Sequence, residues 1–115
     1  MNLELSKLPN DVTRLKLDGD LDMAGVGAVE TPFIALCTGN PPRVLVDLSG
    51  VYFVASLGIR MLLQAIKSVS ARGGRLVLLN PTKIVASALD FSGLGQYVMR
   101  GSEADATTTL LQSDK

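Results

Sequence analysis

The sequence predicts an α/β domain, a mixed and mostly parallel β-sheet with helices packed against it, formed as one unit over residues 1–115. Three observations carry that expectation. The chain opens with two alternating segments joined by turn residues, the pattern of a hairpin. It then holds two short Val- and Leu-rich runs, RVLVDL at 43–48 and RLVLL at 75–79, unbroken enough to be strands covered on both faces. Segments of helical period stand around these runs, and strand–helix–strand alternation builds a parallel sheet.

In the hairpin, Leu3 and Leu5 alternate with polar neighbours, and Leu8-Pro9-Asn10-Asp11 supplies the turn. Pro fixes one dihedral there, and Asn or Asp tolerates the next. From Val12 to Leu17, Leu15 and Leu17 share one face and Arg14 and Lys16 the other. Met23–Thr38 reads as helix, with Val26, Val29, Phe33, Ile34 and Cys37 at three- and four-residue spacing. Pro32 must kink or restart that helix, because its ring opposes the preceding turn. Gly39-Asn40-Pro41-Pro42 ends it.

Leu57–Ala71 is amphipathic, with Met61, Leu62, Ala65, Ile66 and Val69 opposite Arg60, Gln64, Lys67 and Ser68. Arg72-Gly73-Gly74 terminates it with a cation and flexible glycine. A right-handed crossover from the strand at Val44 to the strand at Val77 places this helix on one face of the sheet. A short helix over Ile84–Phe91, stopped by Ser92-Gly93, and a short strand over Gln96–Met99 follow. Ser102-Glu103-Ala104-Asp105 opens a terminal helix over about 102–112 with a capping hydroxyl and an acidic first turn. Gln112–Lys115 is a frayed tail, and the core of the domain spans about 10–100.

Composition narrows the functions. At 47% hydrophobic and 19% charged residues, the chain is that of a compact globular domain. Eleven basic against eleven acidic residues lack the cationic excess that binding a phosphate backbone needs, so no nucleic-acid partner is expected. With no histidine there is no Ser–His or Cys–His catalysis, nor the commonest metal ligand. The single cysteine, Cys37, can form neither an internal disulfide nor a cysteine metal site, and reads as a small buried apolar residue. No signal peptide and no apolar run of about 20 residues is visible, so a cytoplasmic location without membrane insertion is expected.

Three motif-like stretches fail on inspection. Asp18-Gly19-Asp20-Leu21-Asp22 begins like a calcium loop, but Met23 and Val29 stand where the loop requires Gly and Glu; a solvated turn is the simpler expectation. Gly25-Val26-Gly27 begins a dinucleotide fingerprint whose third glycine position holds Glu30. Val54-Ala55-Ser56-Leu57-Gly58 has the serine and second glycine of a hydrolase elbow, but Val54 replaces the first glycine and no histidine exists to take the serine proton. An enzyme, a metal or a cofactor is therefore not expected.

Ser56 itself sits where a strand gives way to a helix, so its hydroxyl is expected to cap the helix and to be exposed beside Gly58. A phosphate at such a place suits the fold, because amides and dipole at a helix N-terminus favour negative charge. A partner pressed on the same face would meet roughly two new negative charges.

The stretch VDLSGVYFVASLGI, Val46 to Ile59, resembles the signature of the STAS domain, the fold of bacterial anti-anti-sigma factors (anti-sigma factor antagonists). The matching positions are Asp47, Ser49-Gly50, Phe53, Ser56, Gly58 and Ile59; Gly19-Asp20-Leu21-Asp22, Gly73-Gly74-Arg75-Leu76 and Phe91-Ser92-Gly93-Leu94 extend the match. The resemblance implies an anti-sigma factor antagonist. Its unphosphorylated form would bind an anti-sigma factor serine kinase, phosphorylation of Ser56 would release it, and a serine phosphatase would restore it. Asp22 matches an acidic residue that helps dock the kinase, whereas Ala55 and Leu57 depart from the usual Asp before and Ser or Thr after the phosphoacceptor. The implied partner face is a loop over Ser49–Ala55 with the first turns of the following helix. Exposed Val51, Tyr52, Val54 and Leu57 would form its apolar centre, Ser49, Ala55 and Gly58 would join it, and Arg60 would be its charged rim. The alternative implied is a STAS adaptor that is not phosphorylated, such as an accessory subunit of a lipid-transport ABC system or a stress-signalling scaffold.

Overall fold

The computed structural model describes residues 1–112, so the last three residues of the expected tail lie outside the described residues. Strands β1 (Asn2–Leu8) and β2 (Val12–Leu21) form the antiparallel hairpin, joined by a 3-10 turn at Pro9–Asp11 in which Asn10 takes φ 64°. Helix α1 (Met23–Leu36), strand β3 (Arg43–Val54), helix α2 (Ser56–Ala71) and strand β4 (Arg75–Leu79) follow. Helix α3 (Lys83–Phe91), strand β5 (Val98–Met99) and helix α4 (Glu103–Leu111) complete the single α/β domain.

The sheet order is β1-β2-β3-β4-β5, with every pair after the hairpin parallel. Each crossover steps in the same direction, so right-handedness puts α1, α2 and α3 on one face. Burial agrees. Leu15, Leu17 and Leu21 of β2, Val44, Val46 and Leu48 of β3, and Leu76 and Leu78 of β4 form one core with Phe33, Met61, Leu62, Ala65 and Val85 of the three helices. The alternate residues Val12, Leu45, Val77 and Leu79 point the other way and meet Ala106 and Leu110 of α4.

Several boundaries move from the expectation. The stretch Asp18-Gly19-Asp20 is not a solvated turn but part of β2, and Ser49–Val54 is not a loop but part of β3. The two strands stay paired through register shifts between Lys16 and Asp18 and between Gly19 and Asp20, where β3 carries the extra residues. Bulges of this kind break the two-residue period on which strand recognition relies. Gly50 permits one of them, since a Cβ there would fall 1.8 Å from Asp18 Oδ1. Helix α1 runs through Pro32 as one element and stops at Leu36, with buried Cys37 as its C-cap. The last strand is only two residues, because Gln96 belongs to a 3-10 turn at Gly95–Tyr97. Ser102 caps α4 as expected, accepting from the Asp105 amide at 3.1 Å.

Candidate functional site

Strands β2, β3 and β4 all end on one edge of the sheet and lead into helices there, after one residue from β2 and from β3 and after three from β4. In an open α/β sheet that carboxyl edge is where ligands and partners are met. The junctions are tied together. Ala55 N–H donates to Leu21 O at 2.9 Å, binding the β3–α2 turn to the end of β2. Thr82 Oγ1 donates to Val51 O at 3.3 Å and accepts from Val85 N, which fixes the start of α3 beside β3.

At the centre of this edge Ser56 is exposed, as the first residue of α2. It is not the cap. That position is taken by Ala55, which has no side chain to offer, so the first-turn amides of α2 meet no capping group. Side chains cap the other three helices: Asp22 Oδ1 accepts from Gly25 N at 2.8 Å, Thr82 caps α3 and Ser102 caps α4. The shift of one residue has a geometric reason. Ala55 holds the extended dihedrals of a cap because its amide is drawn back to Leu21, and Ser56 is thereby the first helical position.

The expected partner residues divide. Tyr52, Leu57 and Arg60 are exposed and Ala55 is half-buried. Val51 and Val54 are core residues, not surface, because the second bulge turns Tyr52 and Phe53 outward and both valines inward. Gly58 is buried too: a Cβ there would come within 2.8 Å of Leu21 Cβ, Leu21 O and Val54 Cγ2. Its role is to let α2 lie directly on the strand ends, not to open a path to Ser56. Asp22 lies at the same edge, with its carboxylate engaged as the cap of α1. Ser49 lies apart from them, two residues from Asp47 on the strand and donating through its hydroxyl to Asp47 Oδ1 at 2.7 Å.

That second place on β3 is a closed polar network. Asp47 Oδ1 also accepts from Ser49 N, and Asp47 Oδ2 accepts from Arg14 Nη2 at 3.2 Å. Arg14 Nε donates to Glu103, pinning the start of α4, and Glu4 lies 3.6 Å from Arg14 Nη1. Burial alone would push the Asp47 carboxyl up; the Ser49 hydrogen bonds and the charges of Arg14 and Lys16 outweigh it and hold the carboxyl below its ordinary value. Burial likewise disfavours the charged Arg14, but Glu103 and Asp47 prevail and its pKa is raised. Cys37 differs again, since burial pushes its thiol up to about 11 against the opposing pull of Arg72, which keeps it in the inert neutral form. Among the described residues, no group of His, Cys, Asp and Glu side chains has the arrangement of a metal site, and no helix is long and apolar enough to cross a membrane.

The sequence reading missed four exposed apolar residues of the edge and its flank: Met23, Phe53, Ile84 and Phe91. The signal was in α3. Its apolar residues form two stripes, Val85 and Leu89, which are buried, and Ile84, Ala88 and Phe91 at i, i+4 and i+7, of which Phe91 is 96% exposed. A nine-residue helix needs only one stripe for its core. Phe91 and Ala88 face the start of α2 across a cleft of about 260 Å³ that Val54, Ala55, Ser56, Ile59 and Ser92 complete.

This architecture is shared by known proteins. An anti-sigma F factor antagonist of Lysinibacillus sphaericus is 28% identical over 107 residues, spanning 92% of this chain and 92% of the relative. The unphosphorylated anti-sigma factor antagonist SpoIIAA matches with a TM-score of 0.80 at 24% identity, over 94% of this chain and 95% of that one. The phosphorylated form of the Bacillus cell fate determinant SpoIIAA matches with a TM-score of 0.72 at 23% identity, over 94% and 98% of the two chains. Residues 6–101 match the family model described as Mlab, STAS domain. With β2, the three parallel crossovers and most of the chain inside that match, this protein belongs to the STAS-domain family.

Proposed function

We propose that this protein is an anti-sigma factor antagonist whose carboxyl edge docks an anti-sigma factor serine kinase, and that phosphorylation of Ser56 ends the complex. The relative from Lysinibacillus sphaericus bears the name of such an antagonist. SpoIIAA, similar in fold, is known in unphosphorylated and phosphorylated forms. The observation that carries the reading is local: an exposed serine opens a helix whose cap position is an alanine.

The chemistry follows from that position. Ser56 Oγ would attack the γ-phosphorus of ATP held by the kinase, its proton would pass to a base of the kinase, and ADP would leave. The phosphate would then lie by uncapped amides at the positive end of a helix dipole, so the domain would keep its fold. The docked partner would instead face roughly two negative charges among apolar residues such as Tyr52 and Leu57. Desolvating those charges disfavours the complex. A serine phosphatase would reverse the switch, and the whole cycle belongs in the cytoplasm, where sigma factors act.

A second reading, a constitutive STAS adaptor, is favoured by Ala55, which gives a kinase no carboxylate to read beside the acceptor. Intact-mass and phosphopeptide analysis of the protein from its native cells separates the two. The switch requires a phosphate on Ser56 whose occupancy changes between growth and stress, and a partner complex that Ser56→Glu disrupts and Ser56→Ala preserves. A chain never phosphorylated in either condition overturns the switch in favour of the adaptor.

A further inference from the structure

We infer that Arg60 clamps the phosphate of Ser56, a role that rests on the reading of Ser56 as phosphoacceptor and deepens it. Ser56 and Arg60 are both exposed and stand four residues apart on α2, so they share one face of the helix. Helical side chains lean toward the N-terminus, so the long Arg60 side chain can reach back over the turn that Ser56 opens. An anion placed four residues before a cation is also the favourable order on a helix. The planar guanidinium offers two parallel donors to a phosphate, a geometry that a lysine ammonium lacks.

In the unmodified chain the charge of Arg60 is poorly placed. It is the fifth residue of α2, toward the positive end of the helix dipole, where a cation is disfavoured. The 16 residues of α2 hold no acidic side chain, and the cap position is Ala55. Helix α4 shows the ordinary arrangement, with Ser102 as cap and Glu103 and Asp105 in its first turn. Among the described residues the ion pairs are made by Arg14 and Lys16, and none by Arg60. The carboxylates of the neighbouring elements are placed otherwise: Asp22 caps α1, and Asp90 Oδ1 lies against Gly95. Exposed Asp20, near the end of β2, adds negative charge to the edge and would oppose a phosphate without a cation beside it. A phosphate on Ser56 would give α2 the anion that its first turn lacks, and Arg60 a partner.

A guanidinium bound to the phosphate would hold it on α2 as a dianion and would itself leave the rim of the partner face. Release of the partner would then draw on two changes at once, a new charge at Ser56 and a lost cation at Arg60.

The test installs phosphoserine at position 56 of the full chain during synthesis, so that no kinase is needed. Wild type, Arg60→Gln, Arg60→Lys and Lys67→Gln are compared with and without the phosphate, by thermal melts and by phosphorus NMR against pH. In the phosphorylated chain Arg60→Gln is expected to lower the melting midpoint by a few degrees and to move the phosphate titration about half a pH unit upward. In the unphosphorylated chain the same substitution is expected to leave the midpoint unchanged or slightly higher, since it removes a cation from the positive end of a helix. Arg60→Lys is expected to keep part of the clamp, and Lys67→Gln, the same change of charge farther along α2, to show neither effect. An Arg60→Gln effect of equal size and sign in both forms, or a phosphate titration indifferent to it, overturns the clamp. A clamp measured in this way, in a protein never phosphorylated in its native cells, overturns the reading of Ser56 and leaves the pairing with Arg60 standing.

Discussion

Strand β3 passes two places that treat their side chains in opposite ways. At Asp47 it crosses a polar network in which the carboxylate is met by Ser49 and Arg14, and the guanidinium in turn by Glu103. Seven residues on, it ends among exposed apolar groups and passes to a helix without a capping side chain. In the first place polar groups are inside and satisfied; in the second, apolar groups and backbone amides are left facing water. The first arrangement holds α4 on the back of the sheet, where only Ala106 and Leu110 of that helix are buried. The second leaves Tyr52, Phe53 and Leu57 exposed. Signature residues of one motif thus separate by what meets them: Asp47, Ser49, Gly50 and Gly58 maintain the frame, and Ser56 stands in the open.

The comparison is broken most severely where the frame of the site is backbone. Gly25 in the first turn of α1 lies so close to the end of β2 that a Cβ would come 2.0 Å from Asp20 O, whereas Gly27 has nothing within 4 Å. Gly25→Ala is therefore expected to cost about 3 kcal/mol, and Gly27→Ala to add up to about 1 kcal/mol, as alanine does in an open helix position. Chemical denaturation measures both. Equal effects at the two positions would mean that α1 does not rest on the strand end as described.

At the polar network the expected effect is intermediate and depends on pH. Asp47 has its carboxyl held below the ordinary 3.8, so its folded form stays ionised where the unfolded chain begins to take up a proton. That stabilisation is complete above the ordinary carboxylate range and is lost as the pH falls through the lowered folded value. Asp47→Asn should cost about 1–3 kcal/mol at neutral pH and flatten the acid limb of the stability profile. A variant whose urea midpoint falls with acid as steeply as the wild type would place that acid sensitivity elsewhere.

Much of the fold was legible because its core elements obey one period each: Val44–Leu48 and Leu76–Leu79 within the two strand runs, and Met61, Leu62, Ala65, Ile66 and Val69 as one helical stripe, are all buried as read. What was not legible depends on departures from a period. The bulges opposite Lys16–Asp18 and Gly19–Asp20 reverse which residues of β3 face inward, so Val51 and Val54 could not be told from Tyr52 by alternation. The cap of α2 depended on a backbone bond from Ala55 to Leu21, a contact between strands that no local pattern encodes. The second stripe of α3 was visible as spacing, but only packing decides which of two stripes is covered.

The uncapped start of α2 gives a smaller and sharper comparison. Ala55 is already in the extended conformation that a capping residue needs, so Ala55→Asp should raise stability by about 1 kcal/mol, as Ser102→Ala should lower it at α4. The same carboxylate would occupy the amides that a phosphate on Ser56 would use. Ala55→Asp is thus expected to make the domain more stable in thermal melts yet favour the phosphorylated form less. No gain in stability would mean that the first-turn amides of α2 are not open.

The smallest expected effect is the most discriminating. A serine that caps its helix loses about 1 kcal/mol on replacement by alanine, and a serine at the first helical position loses nothing comparable. Ser56 occupies the latter, with Ala55 before it, so Ser56→Ala should leave the denaturation midpoint within about 0.5 kcal/mol of the wild type. Its partner complex should meanwhile become insensitive to phosphorylating conditions. The two readouts separate the frame from the switch at one atom. A loss of stability near that of Ser102→Ala would return Ser56 to the frame, beside Asp47, and leave the exposed apolar edge as the whole of the site.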